Sequence, residues 1–258
     1  MNKVKLNGHK VVIYDSIDEL PMVRFHKYSR MLLVDAGVGS DINDFDAHIE
    51  RAVRYIRKGD NDNAAKELEN LRQNVYLILQ EQSVKDLSFA CLVKEIDGRA
   101  MDDLSEQGLA EVLHLLGGAP RKEIADTLGS VKKKIDTELT TYFPDLFDDV
   151  AGREYYDTMK RRTLAVLENV INGETEERDK YIENLTEQMV LYVRPKTFTG
   201  RQSVEIQHDK AFESMCLTIS RDTHTDAKRM TVMEFYNAYE FIVRMAKERQ
   251  KDGSKRLK

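Results

Sequence analysis

Arg121-Lys122-Glu123-Ile124-Ala125-Asp126-Thr127-Leu128-Gly129-Ser130-Val131-Lys132-Lys133-Lys134-Ile135 is the stretch on which the fold turns. Ile124, Leu128, Val131, Ile135 and Leu139 follow one another at spacings of 4, 3, 4 and 4. That rhythm places apolar side chains on one face of an α-helix. Pro120 suits the opening, because a first-turn residue needs no N–H partner. Pro144 closes it, because proline cannot continue the backbone ladder. One amphipathic rod is expected from about 120 to 143, and a rod with one apolar face needs others stacked against it.

The flanking sequence supplies them. Thr231-Val232-Met233-Glu234 is a capping box, in which Thr and Glu close the free N–H groups at a helix start. Behind it Val232, Phe235, Tyr239, Ile242 and Ala246 step by 3, 4, 3 and 4. Ser16-Ile17-Asp18-Glu19, with Pro21, predicts another start and a helix over 20–35 carrying Phe25, Tyr28 and Leu32. Helices are expected over 43–58 (Phe45, Ile49, Ala52, Ile56) and from about 60 onward (Ala64, Leu68, Leu71, Val75, Ile78). Shorter ones are expected over 84–96 and 105–116. Three more are expected over 153–172 (Tyr156, Met159, Thr163, Val166, Val170), 174–193 (Ile182, Leu185, Met189, Tyr192) and 204–220 (Phe212, Met215, Ile219). The apolar residues named are taken as the faces turned to the core. Asn7-Gly8, between β-prone runs at 3–6 and 9–14, predicts a hairpin, because that pair accepts the positive φ values of a type I′ turn. The expected class is mainly α: a multi-helix bundle with a small N-terminal β-hairpin. A division at 143/144 separates a hairpin-plus-helix part, 1–143, from a helical part, 144–258, with one domain as the alternative.

The 258 residues carry a net charge of -5 and are 41% hydrophobic, enough for a sizeable core. Residues 244–258 hold seven Lys or Arg against Glu248 and Asp252, a local +5 on an acidic body. Such a tail docks an acidic partner, or nucleic acid only weakly. No apolar run has the ~18 residues of a membrane span, and the first twenty residues lack a signal-peptide core. A cytoplasmic protein is expected, with no membrane partner. Cys91 and Cys216 are too few for a disulfide framework.

Candidate chemistry is sparse. His208-Asp209 resembles the doublet of metal-dependent phosphohydrolases, which needs further His and Asp ligands from other helices; no metal site or cofactor is expected. Asp41 to Asp46 begins like a calcium loop but has Asp46 at the turn-glycine rank and Ala52 at the bidentate rank. Asp41 and Asp60 read instead as helix caps. Gly37-Val38-Gly39-Ser40 follows a helix, not a strand, so it reads as a helix stop. No nucleophile elbow is present, and a non-enzymatic role is expected. Tyr142, Phe143, Phe147, Tyr155 and Tyr156 crowd five aromatics around a proline bend, as a partner anchor or a local core plug.

Two resemblances bear on function. Arg121 to Gly129 resembles the first helix and turn glycine of a helix-turn-helix, and Ser130 to Ile135 resembles the recognition helix, although the residues that form the turn are missing. It implies, as the alternative reading, a DNA-binding regulator using residues 120–135 with Lys132, Lys133 and Lys134 on the phosphates. The amino-terminal hairpin leading into Ile17-Asp18-Glu19-Leu20-Pro21-Met22 and Arg24-Phe25-His26-Lys27-Tyr28, the acidic helical body, and Thr231-Val232-Met233-Glu234-Phe235-Tyr236 together resemble bacteriophage assembly proteins, nearest to tail assembly chaperones. That resemblance implies a non-enzymatic virion assembly or structural protein. Its partners would be phage structural proteins or a second copy, in host cytoplasm or virion. Phe25, Tyr28, Phe143, Phe147, Phe235 and Tyr239 are the partner-binding candidates it implies.

Overall fold

The amino-terminal hairpin forms where Asn7-Gly8 sets it. β1 (Asn2–Leu6) and β2 (His9–Ile13) pair antiparallel, with Asn7 and Gly8 both at positive φ in a computed structural model of the chain. The structure describes residues 1–80, 83–117, 120–147, 150–192 and 194–255. Side chains are described for all of these except 150, 151, 191 and 249–255, so most of the basic tail, and Asp148 and Asp149 of the aromatic bend, lie outside the described residues.

The sheet is larger than the sequence predicts. The helix expected over 84–96 ends early: α4 (Val84–Leu92) passes without a loop into β3 (Val93–Ile96), which turns at Asp97-Gly98 into β4 (Arg99–Ala100). Asp97 and Gly98 again both have positive φ, so two hairpins of the same chemistry lie side by side in the order β1-β2-β3-β4. Asp97 ties them together: its carboxylate accepts from the Lys10 amide at 2.8 Å and lies 2.6 Å from His9 Nδ1. Burial along β2 falls on Val11 and Ile13, and this face meets the helices.

The described residues contain eleven α-helices. α1 (Met22–Gly37), α2 (Ile42–Arg57) and α3 (Asn61–Leu79) precede α4, and α5 (Glu106–Leu115) follows the sheet. α6 (Arg121–Tyr142), α7 (Pro144–Phe147), α8 (Val150–Asn172), α9 (Glu176–Tyr192), α10 (Val204–Thr223) and α11 (Val232–Lys255) complete the chain. Asp41 caps α2 in a reciprocal box with Asp44, Asp60 caps α3, and Thr231 and Glu234 exchange hydrogen bonds at the start of α11. The Ser16 box does not form. Ser16 Oγ and the Ile17 amide both bond to Glu138 of α6, and Pro21 stands before α1 as its cap residue.

α6 is one unbroken helix whose buried residues are Ile124, Leu128, Val131, Ile135 and Leu139. They join Leu6, Ile13, Phe25, Tyr28, Phe89, Leu92, Phe143, Phe212 and Phe235 in one core, which draws on residues from both sides of 143/144. Each fully buried side chain of this size contributes about 2–3 kcal/mol. Pro21 and Thr231 form an isolated antiparallel bridge: the Met22 amide donates to the Met230 carbonyl at 2.9 Å, and Val232 to Leu20 at 3.0 Å. The entry segments of α1 and α11 are thereby held together.

Arg24 is the buried cation at the centre of this arrangement. Its guanidinium donates to the carbonyls of Val93 (2.9 Å), Cys91 (3.3 Å) and Met101, and to Asp102 at the surface. At the α4 to β3 junction the Leu92 carbonyl accepts from the Tyr14 amide at 3.0 Å, and the forked cation satisfies the Cys91 and Val93 carbonyls on either side of it. Arg24→Met should lower stability by about 3 kcal/mol, because it strands buried acceptors. Arg24→Lys should recover only part of that, lacking the fork. Urea titration followed by circular dichroism reads both.

Candidate functional site

A cavity of about 670 Å3 lies between α1, α3, α4, α5 and the start of α10. Met31, Val34, Leu77, Leu109 and Phe198 supply apolar walls, and Lys27, Arg30 and Glu205 stand at one side. Arg30 is committed: its Nε bonds to Glu205 at 3.0 Å and a second nitrogen lies 3.4 Å from Asp209. Lys27 forms no ion pair among the described residues.

The Arg30 side leads into a cluster that joins α1 to α10. His26 Nε2 lies 2.9 Å from Asp209 Oδ1, and the His26 ring is stacked on His208 on one side (4.5 Å between centroids) and on Phe212 on the other (3.9 Å). Ser29 Oγ donates to the His26 carbonyl at 3.0 Å and lies 3.3 Å from His208 Nε2. His208 Nδ1 is buried without a hydrogen-bond partner among the described residues.

This arrangement does not assemble the chemistry its residue types allow. A Ser–His nucleophile needs an imidazole base with a free Nε2 and a carboxylate on Nδ1. Here no carboxylate meets His208 Nδ1, and the nearby carboxylate, Asp209, is bonded to the other histidine. His26, His208 and Asp209 lie within ligand reach of one another. The two rings are only 8° from parallel, however, so their in-plane lone pairs run side by side instead of converging on one ion. The Arg30 cation beside Asp209 opposes a second positive charge there.

Burial lowers the pKa of both His26 and His208 below the ordinary 6.5; the neighbouring imidazole adds to this at His26, and Asp209 partly offsets it at both. The unfolded chain therefore binds protons that the folded cluster resists. The stability contributed by the neutral pair is complete above pH ~6.5 and falls as the pH drops below it. Sequence spacing could not have revealed the cluster, because His26 and His208 are brought together only by the packing of α1 on α10.

The residues expected to bind a partner are mostly core residues. Phe25, Tyr28, Phe143 and Phe235 are buried, while Phe147 and Tyr239 are half-buried and packed on the same core. Phe147 meets Tyr236 edge-on at 5.0 Å and Phe143 lies 5.6 Å from it, so the aromatic bend folds back as a core plug. Lys132, Lys133 and Lys134 sit on the exposed side of α6, with Lys132 paired to Asp136 at 2.7 Å and Lys134 to Asp15 at 3.0 Å. No turn interrupts α6, so the two crossed helices of a helix-turn-helix are not formed there.

Two helices, α2 and α8, turn outward apolar residues predicted to face the core. α2 buries His48, Ala52 and Tyr55 and exposes Ile42, Ile49, Val53 and Ile56. α3 buries Ala64, Glu67, Asn70 and Asn74 and exposes Leu68, Tyr76 and Leu79, while Leu71, Val75 and Ile78 are half-buried. α9 keeps its predicted face, with Leu185 buried and Ile182 and Met189 half-buried. Between α2 and α3 Glu67 receives Arg51 Nε at 2.8 Å and lies 2.6 Å from His48 Nδ1. Asn74 donates to the Val38 and Asp41 carbonyls. In the α8/α9 hairpin Arg162 bonds to Thr186 at 2.8 Å beside buried Thr158, Ala165, Leu185 and Val190, and Asn169 bonds to Asp179 at 2.8 Å at the exposed edge. Met159, Val166 and Val170, predicted to face the core, are exposed, as are Leu164, Leu167 and Ile171. Tyr55 links the two hairpins, its hydroxyl donating to the Val190 carbonyl at 2.9 Å.

No family model, curated protein or solved structure matches the chain. No helix among the described residues is long and apolar enough to cross a membrane.

The histidine cluster yields a prediction. His208→Phe preserves the stack and removes one proton acceptor. The loss of stability between pH 7 and pH 5 should be shallower in His208→Phe than in the parent, as read from thermal melts across that range.

Proposed function

We propose that the chain is a non-enzymatic assembly protein that covers apolar surface on other subunits, as tail assembly chaperones and related phage assembly proteins do. One observation carries the reading: α2, α3 and α8 present Ile, Leu and Val outside, while the α2/α3 hairpin buries His48, Glu67, Asn70 and Asn74. Ile42, Val170 and Ile171 are at least 63% exposed, and each lies on a helix with further exposed apolar neighbours. A monomer that worked alone would gain by burying such faces, since each buried methylene contributes about 0.8 kcal/mol. The polar seams give this orientation a local reason. Glu67 is held by His48 and Arg51, and His48 also by the Val38 carbonyl at 2.9 Å, so the hairpin cannot roll its oily face inward without stranding these groups. A cluster of exposed apolar faces on a folded scaffold suits reversible capture of oily segments, with affinity from buried area and a few anchors. The histidine cluster supports the non-enzymatic part of the reading, because no carboxylate orients His208 from Nδ1 and the two rings are stacked.

The test is suppression of aggregation. At equimolar ratio the protein should reduce light scattering from a heat-destabilised client protein. Replacing Ile49, Val53 and Ile56 together by Ser should remove most of that effect without changing the circular dichroism spectrum. A parent protein that leaves client aggregation unchanged would overturn the reading.

A further inference from the structure

We propose that the cavity between α1, α3, α4 and α5 binds a single long aliphatic chain ending in one negative charge, a fatty-acid carboxylate, with Lys27 at its head. The inference goes beyond the assembly reading and uses none of the exposed faces on which that reading rests.

The cavity has a length and a direction. Arg24, one turn before Lys27, reaches the Cys91 and Val93 carbonyls where α4 ends. The amide of Val84, where α4 begins, donates to Ser40 Oγ at 3.2 Å, just beyond α1. α1 and α4 therefore run antiparallel, and Lys27 and Val38 mark opposite ends of the wall that α1 provides. They are eleven residues apart, about 16 Å at 1.5 Å per residue. Met31, Val34, Leu87 and Leu109 make the wall apolar. Phe198 closes the Val38 end, its ring so close to Gly37 that a Cβ there would collide with it. Carbon–carbon bonds of about 1.5 Å at tetrahedral angles advance about 1.25 Å each, so a chain of about thirteen carbons spans the distance. The volume, about 670 Å3, is that of a small-molecule site.

Charge selects the head. Lys27, Arg30, Asp86, Glu106 and Glu205 line the cavity. Arg30 is held by Glu205 and Asp209. Asp86 and Glu106 stand in the first turns of α4 and α5, where the helix dipole offsets a carboxylate. Lys27 lies inside α1, half-buried, with no hydrogen bond or ion pair among the described residues. It is the lining charge with neither a counter-ion nor a helix end to offset it, and a single ammonium matches a single carboxylate. Partly out of water, it attracts an anion more strongly than a solvated lysine does. A neutral chain would leave it unmatched, and an alkylammonium would be repelled by it. The apolar wall beyond Lys27 then takes the chain.

Isothermal titration calorimetry on the full chain, below micelle-forming concentrations, tests this. Dodecanoate should bind one per chain, about tenfold or more tightly than dodecanol. Across the saturated carboxylates, affinity should rise about fourfold per methylene and level off near thirteen carbons. Lys27→Gln should abolish the preference for the carboxylate while dodecanol still binds. Ala110→Phe, which brings a ring into the cavity from an exposed position on α5, should weaken both ligands with an unchanged circular dichroism spectrum. Replacing Ile49, Val53 and Ile56 by Ser should leave the affinity as it is. A parent chain that binds no dodecanoate would overturn the proposal, and so would full affinity in Lys27→Gln or in Ala110→Phe. Equal binding of alcohol and carboxylate, tighter binding of dodecyltrimethylammonium or of dodecyl phosphate, or a loss of binding in the Ile49, Val53 and Ile56 variant would overturn it as well. That last result would place the chain on the outer face of α2 and outside the cavity.

Discussion

The structure depends on the junction where α4 becomes β3 with no loop between them. A helix ending there leaves carbonyls pointing into the core, and a strand beginning there offers more. Arg24 resolves the conflict from α1, with one planar cation accepted by carbonyls of Cys91, Val93 and Met101. The same side chain therefore fixes α1 against α4, sets where the helix ends, and holds the β3–β4 turn segment. The cation belongs at a helix carboxyl end, where the backbone dipole is negative. The sheet, the helix layer above it and the entry of α1 beside α11 are all placed by that arrangement.

From this core the two hairpins project with an unusual economy. The α2/α3 interior is largely polar, the α8/α9 interior sets Thr158 beside Ala165, Leu185 and Val190, and the outer faces of α2 and α8 are oily. Such an arrangement costs solubility and gains specificity, because a buried Glu67 held by His48 and Arg51 admits one packing only. The polar seam gives the hairpin a defined orientation before any partner arrives. The oily face then remains free, on a scaffold already stabilised elsewhere by the α1–α6–α11 core. A protein built this way keeps its folding surface separate from its contact surface.

Much of the fold is legible in the sequence. The row Ile124 to Leu139, the caps at Asp41, Asp60 and Thr231, and the Asn7-Gly8 turn each express a local rule, and each forms. The second hairpin was also written there: Asp97-Gly98 carries the same turn chemistry as Asn7-Gly8. It is masked because α4 and β3 share one apolar run, and periodicity cannot mark the change from helix to strand within it. Ser16 reads as a cap and becomes instead a ligand of Glu138, since a side chain from α6 competes for the same groups. Phe25, Tyr28 and Phe235 read equally as anchors or core, and burial assigns them to the core.

The sequence by itself determined most helices, the caps at Asp41, Asp60 and Thr231, the Asn7-Gly8 turn and the presence of an apolar and a polar face on most rods, because these follow from interactions within a few residues. Only the tertiary structure decided which face looks inward. A helix pattern records that two faces differ, but the environment of each depends on what residues far along the chain bring to it. Glu67 and His48 could be known as an inner pair only once α2 and α3 were laid together, and His26 could meet His208 only once α1 met α10.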